Sequence, residues 1–158
     1  MKKGELLLTY GSQEFFDTLK QKLNNDSKFR ELGRGTYTAT ELIVLKDFGV
    51  GVWQNTKDGM VMDLKLIPKK DLVEFSNRSD LIYYVDNYDA LVRISTGDDS
   101  FVSLVLDDTI VFKGSMKILS KIQAPSERME YILREMMKEV IVPSKIQFQR
   151  LLSEHGDL

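Results

Sequence analysis

The stretch that most constrains the fold covers residues 79–118, where the sequence pattern changes from strand to helix and back to strand. Leu81–Val85 is aromatic and β-branched, which is typical of a strand. Asp86 or Asn87 can cap the helix that follows, and Gly97 can end it. The chain therefore places a helix directly after a strand.

The same stretch continues with a second, shorter helix and another strand. Residues 98–100, Asp-Asp-Ser, offer an N-cap, and residues 101–105 carry an apolar stripe at helical spacing. An Asp-Asp pair at 107–108 indicates a turn, and residues 109–113 predict a strand that stops at Gly114. The predicted order in this part of the chain is strand, helix, helix, strand.

The N-terminal part begins with a predicted helix. Ser12 is its expected N-cap, and Glu14 lies in the first turn, where the helix dipole favours an acid. The Asn-Asn-Asp sequence at 24–26 ends or breaks this helix. A second short helix then carries Phe29 and Leu32.

Between residues 37 and 66 the hydrophobic period changes to two. Residues 37–46, 50–55 and 60–66 predict three strands, and the last two are joined by a hairpin at Lys-Asp-Gly, 57–59. Alternation on the third strand predicts one buried face formed by Met60, Met62, Leu64 and Leu66. A sheet with one buried face fits antiparallel pairing.

The C-terminal part is predicted to be helical. An apolar stripe recurs at i, i+3, i+4, i+7, i+8 and i+11 and is formed by Met129, Ile132, Leu133, Met136, Met137 and Val140. Pro143 interrupts the stripe, and Ser144 with Gln147 predicts a capping box for a last helix. Residues 69–77 are expected to be a loop with a short strand or a turn of helix.

These elements predict an α+β fold. Strands and helices are segregated along the chain, which indicates one mostly antiparallel sheet covered on one face by helices. The 158 residues contain no repeat or linker, so we expect 1–158 to be a single domain. The 42% of hydrophobic and 29% of charged residues are typical of a soluble globular protein.

Charge and composition argue against several classes of function. The net charge of −2, from 22 basic and 24 acidic residues, argues against a nucleic-acid binder and against a polybasic membrane-surface protein. The sequence has no cysteine, which excludes disulfides, thiol catalysis and cysteine–metal sites. No apolar run is long enough to cross a bilayer, and we expect a cytoplasmic protein.

No catalytic constellation can be assembled from the sequence. His155, the single histidine, lies in a polar tail, so histidine-dependent nucleophiles and zinc sites are not expected. The acid pairs at 98–99 and 107–108 can be read as a cation site or an acid–base pair, but a helix cap and a turn explain them more simply. The G-x-G fragments at 33–35 and 49–51 lack the rest of a nucleotide-binding motif. We therefore expect no catalytic residue, no metal and no cofactor.

Four short motifs occur in a fixed order in the second half of the chain. Asp80 opens a strand before a helix, and Tyr-Asp-Ala-Leu at 88–91 is an acidic-aromatic helix start. Thr-Gly-Asp at 96–98 is a Gly-acidic break between helices, and Ile-Val-Phe-Lys-Gly-Ser at 110–115 is a strand end. In these motifs the chain resembles the sterol carrier protein two family, the sterol-transfer domain superfamily of small lipid-binding proteins.

The resemblance implies a five-stranded sheet whose helical cover leaves an apolar tunnel. It implies a non-catalytic carrier for a lipid-like molecule (fatty acyl, isoprenoid or sterol), and it leaves the ligand open. An acidic head group on the ligand could meet Lys69, Lys70 or Lys113, and the helix over 129–140 or the helix after Pro143 would be the lid. The candidate lining residues are Leu91, Ile94, Phe101, Leu104, Val105, Ile110, Phe112, Met116, Leu119, Met129, Ile132, Leu133 and Met136.

Two further interpretations stay open. The same fold with a filled core would be an interaction or regulatory module, which docks a partner or forms a homodimer through the face at 148–152. A small enzyme that uses carboxylates or Tyr83, Tyr84 and Tyr88 has no assembled constellation behind it. Trp53 lies in a predicted strand and is expected in the core.

Overall fold

The computed structural model describes residues 7–97 and 101–154. A 3₁₀ turn at Lys69–Asp71 precedes the third helix. In chain order the elements are β1 (Leu8–Thr9), α1 (Gln13–Asn24), α2 (Ser27–Gly33), β2 (Ala39–Leu45), β3 (Val50–Lys57), β4 (Met60–Ile67), α3 (Leu72–Asn77), β5 (Leu81–Val85), α4 (Tyr88–Thr96), α5 (Phe101–Leu106), β6 (Val111–Gly114), α6 (Met116–Lys121), α7 (Gln123–Met137), β7 (Val140–Ile141) and α8 (Lys145–Glu154).

Five strands form the central sheet, in the order β4-β3-β2-β5-β6. The β2–β5 pair is parallel, and the other three pairs are antiparallel. The predicted α+β fold with a five-stranded, mostly antiparallel sheet is therefore confirmed. β1 and β7 form a separate parallel pair of two residues each, which is too short to leave a period in the sequence.

The hairpin between β3 and β4 forms where the sequence predicted it. Asp58 and Gly59 have φ angles of 47° and 75°, as expected for a two-residue turn that matches the twist of the strands. The turn packs against the end of α2 with almost no space between the backbones. A Cβ atom on Gly33 would lie only 2.8 Å from the Cα of Gly59, so both positions need glycine.

The alternation predicted for β4 is wrong at Met62. Thr56 pairs with Val61, whereas the preceding Asn55 pairs with Asp63, so Met62 is an extra residue. Such a β-bulge turns the side chains on either side of it onto different faces. Met62 is consequently 52% exposed, and Val61 takes the buried position instead.

The predicted helix starts are confirmed by side-chain caps. Ser12 Oγ accepts a hydrogen bond from the backbone N–H of Phe15 at 3.2 Å, and Asn87 Oδ1 accepts one from Ala90 at 2.8 Å. Before α8, Ser144 and Gln147 bond reciprocally and form the predicted capping box. The cap proposed at 98–100 lies outside the described residues.

The end of α4 depends on a glycine. Gly97 has a φ angle of 91°, a left-handed conformation that side chains disfavour. A Cβ atom at this position would also lie 1.9 Å from Cδ of Arg134 on α7. Gly97 therefore both ends α4 and lets α7 pass close to it.

Helix α7 ends before the predicted stripe does. Its last residue is Met137, and Val140 instead lies in β7, where it pairs with Leu8. The β-branched run at 140–142 favours a strand, and the residue before Pro143 is disfavoured in a helix. The prediction of a continuous helix to Val140 is therefore wrong.

Apolar side chains pack on both faces of the sheet. The main core lies between one face and the helices other than α3, whereas α3 covers a small cluster on the opposite face. Trp53 is in the small cluster, with its ring 4.9 Å from that of Phe75 and the Arg78 guanidinium 5.1 Å from it. The prediction that Trp53 is buried is confirmed, but on the face away from the main core. The small cluster consists of Leu42, Val44, Trp53, Ile67 and Ile82.

Candidate functional site

A cavity of about 140 Å³ lies in the main core, between the sheet and the helices. It is similar in volume to the roughly 150 Å³ apolar cavity that is known to stay dry and to bind benzene. Strands β2 to β5 supply one side, and α1, α4 to α8 and the segment before α1 supply the other. The apolar members of the lining are Tyr10, Phe15, Phe16, Leu19, Ile43, Leu45, Val50, Val52, Leu64, Leu66, Tyr83, Leu91, Phe101, Leu119, Met129, Leu133 and Phe148.

Five of the thirteen candidate lining residues border this cavity: Leu91, Phe101, Leu119, Met129 and Leu133. Five others, Ile94, Leu104, Ile110, Ile132 and Met136, are buried in the main core without reaching the cavity. Val105 and Phe112 pack at the edge of that core, and Met116 is 56% exposed. The structure thus places only part of each predicted apolar helix face at the cavity, and the rest packs into the core or lies at its edge.

The N-terminal half of the lining was not predicted from the sequence. Most inward positions of β2 and β3 and most of the apolar face of α1 border the cavity. The period-two pattern identified inward-facing positions only on the third predicted strand, where Leu64 and Leu66 border the cavity and Met60 does not. It could not show which of them border unfilled space, because packed and unpacked core positions have the same pattern.

Glu41 is a carboxyl group in the lining that the sequence analysis also missed. It lies on β2 and is only 8% exposed. Tyr37 donates a hydrogen bond to its Oε2, and Tyr83 donates one to its Oε1 at 3.0 Å. Burial raises the pKa of Glu41 to about 7, although the two hydroxyl groups act in the opposite direction. An acid at an inward strand position was the signal that could have revealed it.

The hydroxyl of Tyr37 connects Glu41 to neighbouring polar groups. Gln54 Nε2 donates to it at 3.0 Å, and Ser126 on α7 also bonds to it. Burial raises the pKa values of Tyr37 and Tyr83 well above their ordinary value, so both remain protonated donors. A network of hydrogen-bonded polar side chains therefore forms one part of an otherwise apolar lining.

A second carboxyl group reaches the cavity from α7. Glu130 accepts a backbone hydrogen bond from Phe101, but its buried Oε1 has no partner among the described residues. Burial raises the pKa of Glu130, and the Arg134 guanidinium opposes this increase. The charge of Glu130 also helps to raise the pKa of Tyr83, so this acid on α7 acts across the cavity on the sheet.

The described lining supplies no basic partner for these acids, although the Arg134 guanidinium outside the lining acts on Glu130. Among the described residues, the lining of the cavity contains no lysine, arginine or histidine. Lys69, Lys70 and Lys113, the expected contacts for an acidic head group, all lie elsewhere. The polar part of the cavity therefore consists of hydrogen-bond acceptors, hydroxyl groups and amides.

Helix α8 closes the cavity near the start of the chain. The ring of Phe148 stacks on that of Tyr88, with centroids 4.4 Å apart, and the Tyr88 hydroxyl donates to the carbonyl of Pro143 at 2.7 Å. Phe148 and Leu152 are both almost fully buried. The prediction that residues 148–152 form an exposed docking face is therefore wrong, because that face completes the core.

The other candidate sites have structural roles or lie outside the described residues. At 107–108, Asp107 Oδ1 accepts from the backbone N–H of Thr109 at 3.0 Å, and Asp108 has a φ angle of 61°, so the pair forms a turn. The acids at 98–99 and His155 are not among the described residues. Within 7–97 and 101–154 no cluster of three potential ligands could hold a metal ion, and no helix is long and apolar enough to span a membrane.

Comparison with known proteins identifies the fold. No protein-family model and no curated protein matches this sequence. The crystal structure of sterol carrier protein 2 matches with a TM-score of 0.66 at 15% identity, over 80% of this chain and 98% of that one. This chain has the fold of sterol carrier protein 2.

A second solved structure agrees. The conserved hypothetical protein TT1886 from Thermus thermophilus, which has been suggested to be a sterol carrier protein, matches with a TM-score of 0.67 at 15% identity. The match covers 92% of this chain and 96% of that one. The sterol carrier protein 2 fold that the motifs of the second half indicated thus extends over nearly the whole chain, including the N-terminal half that those motifs do not cover.

Proposed function

We propose that the protein is a non-catalytic carrier that holds a lipid-like molecule in the cavity between its sheet and its helices. The observation that carries this proposal is a cavity lined mainly by aliphatic and aromatic side chains from both halves of the chain. The fold shared with sterol carrier protein 2 supports the same function. A fatty acyl chain, an isoprenoid and a sterol-like molecule all have the apolar surface that this lining favours. The proposed location of the protein is the cytoplasm.

The free energy for binding would come from burying the ligand's apolar surface. Each methylene group removed from water contributes roughly 0.8 kcal/mol. The cavity of about 140 Å³ is smaller than the roughly 300–1,000 Å³ of a site that encloses a drug-sized ligand. A long chain must therefore widen the cavity as it enters, and the affinity is the difference between the burial gain and the cost of widening.

Helix α7 is the better of the two predicted lids. Met129 and Leu133 line the cavity from this helix and are only half-buried, and methionine adapts easily to ligands of different shape. Helix α8, by contrast, is fixed by the stacking of Phe148 on Tyr88 and by the hydrogen bond to Pro143. We expect an outward movement of α7 to admit the ligand.

A displacement titration tests the proposal. The neutral fluorescent probe N-phenyl-1-naphthylamine is bound first and is then competed with straight-chain alcohols and fatty acids of increasing length, isoprenoid alcohols and sterols. We expect saturable binding of the probe and competition that strengthens with chain length until the widened cavity is full. A folded, monodisperse sample that binds neither the probe nor any competitor would contradict the carrier function.

The interaction module with a filled core has less support. The core contains a cavity, and the face at 148–152 that would have docked a partner is buried. The same sample answers this question, since a mass in solution that rises with concentration would indicate self-association. We expect a constant monomer mass.

A further inference from the structure

We propose that the cavity selects ligands by head group: it accepts a hydroxyl or amine head group, which donates hydrogen bonds and has no negative charge, and it rejects a carboxylate. This inference rests on the proposed carrier function and specifies its ligand class. It predicts that long-chain alcohols or amines, rather than free fatty acids, are the preferred cargo. Which head group is accepted depends on the polar groups that line the cavity and on how many of their hydrogen bonds are already made.

The lining offers acceptors and lacks cationic donors. Glu41 and Glu130 are its two ionisable acids, and no basic residue is present among the described lining residues. Fatty-acid carboxylates are bound well by groups such as arginine, lysine or several backbone N–H groups. A carboxylate placed here would instead meet two acids in a medium of low dielectric constant, where repulsion between like charges is strong.

Glu130 offers the clearest acceptor for a donor on the ligand. Its Oε1 atom is buried and makes no hydrogen bond to the described protein, and Glu130 is one of the residues that line the cavity. Buried polar atoms in proteins are almost always hydrogen-bonded to protein or to ordered water, so an acceptor that the protein leaves unpaired in a lining residue is available to a donor on a ligand. A hydroxyl or ammonium group can be that partner, whereas a carboxylate has no hydrogen to donate.

Glu41 extends the acceptor surface. Tyr37 and Tyr83 each donate to one of its oxygen atoms, and each oxygen has further lone-pair capacity. None of the groups that influence its ionisation is basic: the two phenols bond to it, and Asp80 repels its charge. A buried carboxylate without a cationic partner is costly, and a donor head group would relieve that cost.

The two acids act on the same small region. Tyr83 donates a hydrogen bond to Glu41, and the charge of Glu130 contributes to the raised pKa of Tyr83. Phe101, whose backbone N–H bonds to Glu130, packs its ring 5.1 Å from that of Tyr83. The head group would therefore enter a polar recess beside Tyr83, and the alkyl chain would follow the apolar wall.

The test compares three ligands with the same ten-carbon chain. Decan-1-ol, decylamine and decanoate compete for the bound neutral probe N-phenyl-1-naphthylamine at pH 8, where decanoate is ionised. We expect the alcohol and the amine to displace the probe at concentrations about tenfold lower than decanoate, which corresponds to about 1.4 kcal/mol. Equal displacement by all three would overturn the head-group selection but leave the carrier function intact, whereas no displacement by any of them would overturn both.

Two variants locate the effect. Glu130→Gln replaces one carboxyl oxygen by an amide donor in the cavity lining, and Glu135→Gln makes the same charge change at an exposed position farther along the same helix. We expect Glu130→Gln to reduce the preference for the alcohol over decanoate to about threefold or less and Glu135→Gln to leave it unchanged. Thermal unfolding checks that both variants are folded. If both are folded and change the head-group preference equally, the assignment to Glu130 is overturned.

Discussion

The hydroxyl of Tyr83 donates a hydrogen bond to Oε1 of Glu41 at 3.0 Å and thereby joins the side chains of two parallel neighbouring strands, β5 and β2. Strand periodicity brings the two residues to the same inward face, because Tyr83 pairs in register with Ile43, two residues beyond Glu41. The contact holds an ionisable acid in an apolar core, and the burial of that acid makes the stability of the fold depend on pH.

We expect the free energy of unfolding to fall as the pH rises from about 4.5 to about 7. In this range the folded protein keeps a proton on Glu41 that the unfolded chain has released, so raising the pH favours unfolding by roughly 1–3 kcal/mol. Glu130, whose pKa burial also raises, acts in the same direction. Urea unfolding at a series of pH values measures the effect, and Glu41→Gln should reduce it.

Matched tyrosine variants refine this prediction. Tyr83→Phe removes a donor that lowers the pKa of Glu41, so it should move the pH-sensitive range upward. Tyr84→Phe is the control, since Tyr84 packs against the small cluster on the opposite face. The role given to Glu41 would be contradicted if the free energy of unfolding of the wild type did not change with pH. It would also be contradicted if both variants moved the pH-sensitive range equally.

Filling the cavity should weaken ligand binding without unfolding the protein. Leu133→Phe places a larger side chain in the unfilled space, so we expect the unfolding midpoint to stay the same or rise while probe affinity falls about tenfold. Leu133→Asp should abolish uptake because it adds a charge to the apolar wall. The matched controls are Ile146→Phe and Ile146→Asp, at a position that is 65% exposed. A folded Leu133 variant with unchanged affinity would remove this residue from the lining.

The stacked pair at α8 should contribute strongly to stability. Phe148 is 2% exposed, stacks on Tyr88 and lies against Gly11, where a Cβ atom would be 2.6 Å from its ring. Phe148→Ala should therefore lower the free energy of unfolding by about 3–5 kcal/mol. Ile146→Ala, on the exposed side of the same helix, should change it by less than about 0.5 kcal/mol. Similar losses in both variants, measured by chemical denaturation, would be incompatible with the packing described.

A polar contact between α7 and the start of α2 should oppose the proposed movement of α7. Arg128 forms two hydrogen bonds with the carboxylate of Asp26, at 3.0 and 2.9 Å, and thereby fastens α7 to the start of α2. Arg128→Ala should release the bound probe roughly three- to tenfold faster in stopped-flow measurements, because a loosened lid opens more often. Lys138→Ala is the control, since it breaks an exposed ion pair with Glu135 at the end of the same helix. Equal release rates in both variants would exclude α7 as the lid.

Local signals in the sequence predicted most of the fold. Caps at Ser12 and Asn87, the stop at Gly97 and the hairpin before Gly59 are set by interactions a few residues apart, so a sequence pattern can reveal them. The bulge at Met62 and the short β1–β7 pair depend on partners far along the chain. No local pattern carries that information.

The candidate site was less predictable than the fold. Periodicity placed Leu91 and Leu133 on inward faces, and both reach the cavity, but the equally periodic Ile132 and Met136 pack into solid core. Unfilled space arises from how the sheet and helices fit together, which is a property of the assembled structure. Glu41 was missed for a related reason, since its role depends on Tyr83 in another strand.

The most direct test of a ligand site between the sheet and the helices is methyl NMR of the wild-type protein, titrated with decan-1-ol. The reporters in the cavity are Leu19, Leu64, Leu91, Leu119 and Leu133, and the controls in the small cluster on the opposite face are Leu42, Ile67 and Ile82. We predict saturable shifts in the first set and almost none in the second. Shifts confined to the second set or to exposed methyl groups, or no shifts at all, would contradict the proposed carrier function.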